Sequence, residues 1–457
     1  MKEGVDRMGD NKKAFVLGMA RSGYEAAKLL VNKGYEVIVN DASIEQNLEQ
    51  MKGLQSLGVK IVLGSHPEDL IDNTFEMIVK NPGISNSHKY IEKARELNIP
   101  VINELELAFR YFPSDVTIIG VTGTNGKTTT TIIIYEILRR ASKSVFLMGN
   151  IGYPVCSFLH QLKENDIAVM EVSDHQLCNV SEFKTNISVL TNVSQAHVDF
   201  HGSYDIYKNM KRRIFNQHTK SDIAVINLDN KEVLNLTNDI ESTKIYFSSG
   251  SLNKIGCTIA DGYIYYNNDK IISLNDVKIK GKHNYENAMA AIAVVKELGV
   301  ENDAIISVLK AFGGVEHRME YVKTINNIDF YNDSKSTNIT STQIALSSFT
   351  KPTVLLLGGL DRGHSFDELK DYLLNVKLIV AYGEAKIRIE DFAKKCGIPC
   401  RVVDTLNEAT KIAYNSSSEG YVVLLSPACA AWDQFKDFEV RGNLFKECVN
   451  KLESKCS

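Results

Sequence analysis

The feature that most constrains this chain is a glycine-rich loop at residues 120–129, with the sequence GVTGTNGKTT. An apolar run over residues 116–121 predicts a strand before it, and residues 130–140 predict a helix after it. Strand, glycine loop, Gly-Lys-Thr and helix form the arrangement that binds nucleotide phosphates, because loop amides, the helix N-terminus, a lysine and a hydroxyl converge there. The generic pattern has glycine where Val121 stands, so a Gly/Thr turn entering a buried helix is the alternative interpretation. The flanking elements favour a site for ATP phosphates made of Gly123, Thr124, Asn125, Gly126, Lys127, Thr128 and Thr129.

Length and composition limit the classes of protein to consider. A chain of 457 residues exceeds one ordinary core and predicts about three domains. Its net charge of −4, with no basic run longer than Lys211–Arg213, argues against a nucleic-acid partner. The polar opening residues and the lack of a long apolar run predict a cytoplasmic protein that does not contact a membrane. Eight cysteines without a Cys-x-x-Cys pair read as reduced thiols.

The chain divides into three predicted α/β domains. Residues 1–110 alternate strand and helix around the turn Gly18–Gly23 and reach Asp41 after the second strand, which predicts a Rossmann-like domain. This half-motif indicates nucleotide or sugar-nucleotide binding, or a glycine needed only for the turn. Residues 111–314 hold the phosphate loop and a β-meander, and residues 315–457 predict a second Rossmann-like, doubly wound sheet.

An ATP site needs a metal, and Mg²⁺ prefers oxygen ligands. Thr128 follows the loop lysine, and Glu171 ends a buried strand, so both suit that role. Glu171 has the alternative of a surface charge at a strand end. His197 follows another strand, but a lone histidine is more often structural.

Lys211 is an open case in the predicted helix at residues 204–215. It shares a stripe with Tyr207, Met210 and Ile214 by i+3/i+4 spacing. A lysine at an apolar border usually extends outward to water. The alternative is an uncharged or modified lysine that faces the active site, and periodicity does not choose between them.

Taken together, the motifs resemble those of the Mur ligases across essentially the whole chain. The resemblance rests on the stretches Gly123–Thr129, Gly149–Gly152, Glu171–Ser173, His197-x-Asp199, His283–Ala288, His317–Arg318, Asn332–Asn338 and Ser426–Gly442. The branch that joins D-glutamate to UDP-N-acetylmuramoyl-L-alanine is the most similar. The resemblance implies a three-domain α/β fold and an ATP- and Mg²⁺-dependent ligase of peptidoglycan precursor synthesis. It also implies small-molecule substrates, and we expect a monomer.

The resemblance also implies roles for individual residues. Lys127, Lys211 and His197 would be catalytic, with Lys211 carbamylated. The metal ligands would be Thr128, Glu171, His197 and Lys211. ATP would further contact Asn284, Asn287, Arg318 and Asp333. The UDP-substrate would be held by Met19, Ala20, Asp41, Ala42, Asn81, Gly83, Asn150, Ser173 and Gln176. D-Glutamate would be held by Lys335, Thr337, Arg362, Ala431 and Phe438.

The chain departs from the family pattern at three places. Asp174 and His175 stand where Ser-Phe or Ser-His is commoner, and Arg362 stands where lysine is frequent. Ala431 replaces a serine that usually helps to bind the side-chain carboxylate of D-glutamate. The rival functions are a sister ligase for another amino acid, a folate polyglutamate ligase, a nucleotide-driven switch and an oxidoreductase. The last does not explain Lys127, and the folate ligase has no evident use for the first domain.

Overall fold

The structure is a computed structural model that describes residues 12–151, 153–195, 198–250 and 255–453. Within these residues the strands form three sheets of five, nine and six strands, each with helices between strands. The α/β fold is therefore as predicted. The chain packs into two compact units, Met1–Ala311 and Phe312–Ser457. The domain limits at 110 and 314 remain predictions.

The first sheet is wholly parallel and has the order β3-β2-β1-β4-β5. Its strands are β1 (Lys13–Leu17), β2 (Glu36–Asp41), β3 (Lys60–Leu63), β4 (Phe75–Lys80) and β5 (Val101–Ile102). Its helices are α1 (Arg21–Asn32), α2 (Leu48–Ser56), α3 (Lys89–Glu96) and α4 (Glu104–Phe109). Helix α1 packs tightly on the preceding turn, since a Cβ on Gly23 would lie 1.9 Å from the Gly18 carbonyl oxygen.

The second sheet has the order β14-β13-β12-β11-β10-β9-β6-β8-β7, parallel from β7 to β12 and antiparallel beyond it. Its strands are β6 (Thr117–Thr122), β7 (Val145–Gly149), β8 (Ile167–Glu171), β9 (Ile187–Leu190), β10 (Ile223–Asn227), β11 (Thr243–Ser248), β12 (Gly256–Ala260), β13 (Tyr263–Tyr266) and β14 (Asp269–Ser273). Its helices are α5 (Lys127–Arg140), α6 (Asp174–Leu177), α7 (Val198–His201), α8 (Tyr204–Arg212), α9 (Lys231–Thr237), α10 (Lys282–Glu297) and α11 (Asn302–Ala311). The predicted meander corresponds to β12–β14. The predicted helix at 204–215 continues past α8 as a short 3-10 helix, Arg213–Phe215.

One apolar core joins the first and second sheets. It includes Val16 of β1, Leu105 of α4 and Met170 of β8, all 1% exposed or less. Because these strands and helices bury their apolar faces in a common cluster, the two sheets belong to one compact unit.

The third sheet forms the second unit, with the order β15-β16-β20-β17-β18-β19. Only the edge strand β15 is antiparallel to its neighbour. Its strands are β15 (Glu320–Ile325), β16 (Ile328–Asn332), β17 (Thr353–Gly358), β18 (Val376–Tyr382), β19 (Cys400–Val402) and β20 (Val422–Ala428). Its helices are α12 (Ile339–Ser347), α13 (Lys386–Cys396), α14 (Leu406–Asn415) and α15 (Phe438–Glu453). Among the helices described, none has the length and apolar character to cross a membrane.

Candidate functional site

The glycine loop connects β6 to α5 in the conformation that a phosphate site requires. Gly123 and Gly126 have φ angles of 148° and 82°, which side chains rarely allow. A Cβ on Gly126 would also lie 2.2 Å from Asn287 Oδ1, so α10 packs directly on the loop. The unsatisfied amides of the first turn of α5 therefore face the loop, where an anion would be stabilised.

Lys127 lies over this loop. Its Nζ donates to the carbonyl oxygens of Gly123 at 2.8 Å and Thr124 at 3.0 Å. The ammonium group is thus held beside the amides that would cradle the phosphates, where it can neutralise their charge.

A second segment, after β9, holds the loop in shape. Thr191 Oγ1 donates to the Asn125 carbonyl oxygen at 2.6 Å, and the Asn125 amide donates to Asn192 Oδ1 at 2.9 Å. Thr124 Oγ1 lies 2.8 Å from the Tyr207 hydroxyl. The sequence analysis did not single out Thr191 and Asn192. Their position at the carboxyl end of a predicted strand was a signal that could have indicated them.

Glu171 is buried at the end of β8, beside the phosphate loop. It is 3% exposed, and the register pairs it with Val121 of β6. Thr128 Oγ1 donates to Glu171 Oε2 at 2.6 Å, and Asn150 Nδ2 donates to Oε1 at 2.7 Å. The structure therefore excludes the surface alternative for Glu171 and places Asn150, predicted to touch the UDP-substrate, next to the predicted metal ligands.

These residues fit a magnesium ion by the chemistry of their donors. A hydroxyl oxygen and a carboxylate meet at the phosphate loop, and oxygen ligands of this kind suit a hard divalent cation. His197, the third predicted ligand, lies outside the described residues.

Lys211 is buried on the inner face of α8. Its side chain is fully buried, with Nζ 3.0 Å from Asp174 Oδ1 and 4.5 Å from the Tyr207 ring centroid. Burial, and next the nearby Lys127 cation, lower the pKa of Lys211 to about 8. Of the two sequence interpretations, the structure therefore selects the inward-facing lysine.

Asp174 connects Lys211 to two histidines. Asp174 Oδ2 lies 2.7 Å from His201 Nε2 and 3.1 Å from His175 Nδ1. His201 and Asp174 are both buried, whereas His175 is partly exposed. The departure from the family pattern at residues 174 and 175 thus places a carboxylate against the buried lysine.

The two asparagines predicted to contact the adenine side of ATP lie in the first turns of α10. Asn287 is buried, with Oδ1 accepting from Thr130 Oγ1 at 3.4 Å. Asn284 is partly exposed and donates to the Lys280 carbonyl oxygen at 2.9 Å. Asn287 lies against the phosphate loop at Gly126, and Asn284 lies one turn earlier on the same helix.

The predicted UDP-substrate residues of the first sheet gather at the carboxyl ends of β1, β2 and β4. Asp41 Oδ2 accepts from the Met19 amide at 2.7 Å. Asn81 Oδ1 accepts from the Gly83 amide at 3.0 Å, and Asn81 Nδ2 donates to Ser22 Oγ at 3.2 Å. Ala20 and Ala42 lie exposed beside this group. Ligands of open α/β sheets bind at this edge, between neighbouring strands.

Ser173 and Gln176, also predicted for the UDP-substrate, cap helix α6. The Gln176 amide donates to Ser173 Oγ at 3.3 Å, while Gln176 Oε1 accepts from the Ser173 amide at 3.0 Å. This capping box fixes the segment that carries Asp174, directly after Glu171 and Val172.

In the second unit, Asp333 is fully enclosed at the end of β16. Its Oδ2 accepts from Ser336 Oγ at 2.5 Å and Ser426 Oγ at 2.8 Å, and its Oδ1 accepts from the Met319 amide at 3.1 Å. Burial raises the pKa of Asp333 to about 6. Arg318 lies in the turn before β15 and is partly exposed.

The predicted D-glutamate residues follow β16, β17 and β20 of the same sheet. Lys335 Nζ lies 5.6 Å from the Phe438 ring centroid, and the Thr337 amide donates to the Lys335 carbonyl oxygen at 2.9 Å. Arg362 lies over the ring of Trp432. Ala431 is buried, with 2% exposure.

A buried arginine that the sequence analysis passed over supports this region. Arg441 is fully buried and donates to the carbonyl oxygens of Ser334 at 2.8 Å and Cys429 at 3.0 Å. It thereby ties the loop after β16 to the segment after β20. Cys429 is itself buried, and burial raises the pKa of its thiol to about 12, which favours the packing role over a nucleophile.

The comparisons with known proteins cover most of the chain. Family models match a Mur ligase MurD-like N-terminal domain over residues 12–103, a Mur ligase middle domain over 121–295 and a Mur ligase glutamate ligase domain over 317–429. A UDP-N-acetylmuramoylalanine--D-glutamate ligase of Bacillus cereus (strain Q1) is 45% identical over 97% of this chain and 98% of its own length. One of Bacillus anthracis (strain A0248) has the same identity and coverage. The chain belongs to the Mur ligase family.

Solved structures of other Mur ligases show the same fold. UDP-N-acetylmuramate-alanine ligase from Thermotoga maritima has a TM-score of 0.61 at 22% identity, covering 97% of this chain and 99% of that one. A pseudomurein peptide ligase type C from Methanothermus fervidus has a TM-score of 0.58 at 19% identity, covering 97% and 100%. Mur ligases in general use ATP and Mg²⁺, which agrees with the predicted phosphate loop.

Proposed function

We propose that this Mur ligase joins D-glutamate to UDP-N-acetylmuramoyl-L-alanine in peptidoglycan precursor synthesis, with cleavage of ATP to ADP and phosphate. The observation that carries the proposal is 45% identity over nearly the full length to ligases of that name. The placement of Lys127, Thr128, Glu171 and Lys211 around one loop supports it.

The reaction has three steps. The alanyl carboxylate attacks the γ-phosphorus of ATP, the bond from that phosphorus to the bridging oxygen breaks with release of ADP, and an acyl phosphate forms. The amine of D-glutamate then attacks the acyl carbon, and the tetrahedral intermediate collapses to an amide and inorganic phosphate. In each step negative charge develops on oxygens, so preorganised positive charge is the main requirement of the site.

Residues of the first unit meet this requirement around the phosphate loop. Lys127 would leave its carbonyl partners and neutralise the transferred phosphate, while the amides at the start of α5 hold it in place. Asn284 and Asn287 would contact the adenine side of ATP. Thr128 and Glu171, with His197 and Lys211, would hold Mg²⁺, which would supply neutralisation of the negative charge on the phosphate and carboxylate oxygens.

We also propose that Lys211 is carbamylated in the active enzyme. Carbamate formation needs a neutral amine, and burial lowers the pKa of Lys211 to about 8, so a usable fraction is neutral near physiological pH. The resulting carboxylate would supply an oxygen ligand that the amine lacks. Since Asp174 lies 3.0 Å from Nζ, it would have to turn toward His201 and His175 when the modification forms.

The remaining predicted contacts complete the proposal. The UDP-substrate would lie at the carboxyl edge of the first sheet, against Met19, Ala20, Asp41, Ala42, Asn81 and Gly83, and would also contact Asn150, Ser173 and Gln176. In the second unit, Arg318 and Asp333 would engage nucleotide, and Lys335, Thr337, Arg362, Ala431 and Phe438 would receive D-glutamate. Activated sugar and ATP are cytoplasmic metabolites, so we propose a cytoplasmic enzyme. A monomeric state stays a prediction.

Isotope transfer tests the chemistry directly. Oxygen-18 in the alanyl carboxylate should appear in the released phosphate, because one carboxylate oxygen bridges to phosphorus in the acyl phosphate. The experiment supplies ATP, Mg²⁺ and D-glutamate and analyses phosphate by mass spectrometry. Amide formation without label in the phosphate would exclude the acyl phosphate, and phosphate release independent of D-glutamate would favour a nucleotide-driven switch instead.

A further inference from the structure

Two loops of the second unit meet beyond the carboxyl ends of neighbouring strands. An antiparallel bridge joins Leu360, after β17, to Ala430, after β20, and the Leu360 amide donates to the Ala430 carbonyl oxygen at 2.9 Å. Two residues farther along each loop stand Arg362 and Trp432. The bridge holds the two loops together, and the Arg362 and Trp432 side chains are in contact beyond it.

Arg362 lies on the face of the indole ring. Its Cζ is 4.8 Å from the Trp432 ring centroid. Trp432 remains 64% exposed, although large aromatic side chains are usually covered. The exposed ring therefore offers a flat aromatic surface against which the guanidinium is held by a cation–π contact.

The guanidinium is not engaged by the chain's own acids. Across residues 12–151, 153–195, 198–250 and 255–453, no carboxylate lies within ion-pair distance of Arg362. The adjacent Asp361 instead pairs with Arg388 and accepts from the Gly363 amide at 2.9 Å. Arg362 is exposed, and its guanidinium is of the kind that binds a carboxylate at two points.

We propose that Trp432 is a positioning residue for amino-acid selection, which holds the Arg362 guanidinium to receive the side-chain carboxylate of D-glutamate. The proposal rests on the ligase function above and adds to it a residue outside the predicted site. It also answers the question raised by Ala431, whose methyl group offers no hydroxyl to that carboxylate. In this chain the next residue supplies an aromatic surface, and the cation that it supports replaces the missing hydrogen bond.

The second predicted cation of this site has a similar support. Lys335 Nζ lies 5.6 Å from the ring of Phe438, at the start of α15. Stacking restricts a long cationic side chain before the ligand arrives, so less conformational entropy is lost on binding. Stacking favours binding by an arginine more than by a lysine, because the guanidinium plane must be oriented to form two parallel hydrogen bonds. An arginine at position 362, where lysine is frequent in the family, can therefore use the ring of Trp432.

Steady-state kinetics on three variants test the proposal. Trp432→Ala should raise KM for D-glutamate about two- to five-fold, the value of an exposed cation–π contact, with kcat and KM for ATP unchanged. Trp432→Phe should restore most of the loss, because a ring remains. Tyr372→Ala removes another exposed aromatic, 40% exposed and located before β18, at the opposite end of the sheet, and should leave all constants unchanged.

Substrate selection gives a sharper measure than affinity. D-Glutamine has nearly the same shape as D-glutamate but no side-chain charge. Trp432→Ala should lower the preference for D-glutamate over D-glutamine, in kcat/KM, by the same factor as its effect on KM. The proposal would be overturned if Trp432→Ala had the same ratio of kcat/KM for D-glutamate to kcat/KM for D-glutamine as the wild type.

Fluorescence reports on Trp432 without catalysis, since it is the only tryptophan of the chain. With UDP-N-acetylmuramoyl-L-alanine and a non-hydrolysable ATP analogue present, D-glutamate should change the indole emission, and D-glutamine should do so only at higher concentration. An indole emission that does not change at saturating D-glutamate would contradict the proposal. Amide formation by the wild type distinguishes failure of this proposal from failure of the ligase function. If the wild type forms the amide and Trp432→Ala has wild-type kinetic constants, only the role of Trp432 is rejected. If the wild type forms no amide, the ligase function itself is rejected.

Discussion

At the residue scale, the fully buried Lys211 shows how tertiary contacts define a side chain's chemistry. Helical spacing placed it at an apolar border, where lysines usually extend to solvent. In the structure Asp174 and the Tyr207 ring enclose it instead. A buried amine with a lowered pKa is a suitable nucleophile for carbon dioxide, whereas a solvated ammonium is not.

Lys127→Ala should remove the charge that neutralises the transferred phosphate. We expect kcat/KM to fall by ~10² to 10³, equivalent to about 2–4 kcal/mol of transition-state stabilisation. Phosphate release that depends on D-glutamate is the measurement. Lys143→Ala, an exposed lysine beyond the end of the same helix, is the matched control and should keep full activity. Near-normal turnover of Lys127→Ala would refute the role of the loop lysine.

Lys211→Ala should lose activity, and a short carboxylate such as formate or acetate should partly restore it. The added anion would occupy the space of the missing carbamate and supply its oxygen ligands. The control is Lys208→Ala, on the same helix, where the lysine pairs with Asp205 and Glu232; it should be active and insensitive to the anion. An active Lys211→Ala enzyme without added carboxylate would show that the lysine is dispensable.

At the scale of elements, the short helix α4 anchors the first sheet to the second. Glu106 accepts from the Ser181 amide at 3.0 Å and the Phe183 amide at 3.0 Å, in the segment before β9. At the start of the same helix, Glu104 accepts from the Cys156 amide at 2.5 Å. Two buried carboxylates thus satisfy backbone groups of the second sheet's connections, which keeps the substrate edge of one sheet close to the phosphate loop of the other within one unit.

The buried Glu104 predicts a pH dependence of stability. Burial raises its pKa from 4.5 to about 7, so the folded state binds more protons than the unfolded state between these values. Stability must therefore fall as pH rises through that range. Relative to Glu104→Gln, which mimics the protonated form, the wild type should lose on the order of 3 kcal/mol between pH 4.5 and 7.

Urea denaturation of both proteins at several pH values measures this difference. Glu96→Gln, an exposed residue at the end of α3, is the control and should follow the wild type at every pH. If the free energy of unfolding varied with pH in the same way for the wild type and Glu104→Gln, Glu104 would titrate in the folded protein as it does in the unfolded chain.

At the scale of the whole molecule, the chain has two compact units although the sequence predicts three domains. Residues 312–314 connect the units without regular secondary structure, and Gly313 is exposed there. The connection at residues 111–114, by contrast, lies next to α4 and its buried contacts. The buried contacts beside residues 111–114, and not the number of sheets, therefore make the connection at residues 312–314 the more exposed to a protease.

Limited proteolysis with subtilisin should therefore cut first at residues 312–314. Exposed glycine linkers admit a protease, whereas a connection tied by buried hydrogen bonds does not. Intact-mass analysis identifies the first fragments. Glu106→Ala should make residues 111–114 more sensitive, because it frees the amides of Ser181 and Phe183. A first cut at 111–114 in the wild type would contradict this account.

Much of the architecture followed from local patterns. The strand before the phosphate loop, the helix after it, the β-meander and the four longer parallel strands of the last sheet all occur where apolar runs and turn residues predicted them. The apolar residues of these elements repeat with a clear period, and glycines mark where the elements end. Both signals depend only on residues that are close together along the chain. Shorter edge strands such as β5 and β19 escaped prediction, since two or three residues carry no measurable period.

The sequence by itself determined the fold class, the phosphate loop and the family, because each depends on residues that are neighbours along the chain. Tertiary structure alone decided that Lys211 is buried against Asp174, that Glu171 meets Thr128 and Asn150, and that Trp432 lies beneath Arg362. These partners are separated by tens of residues, and the pairing of strands brings them together. The charge and reactivity of a side chain depend on neighbours that are distant along the chain, so a local sequence pattern does not predict them.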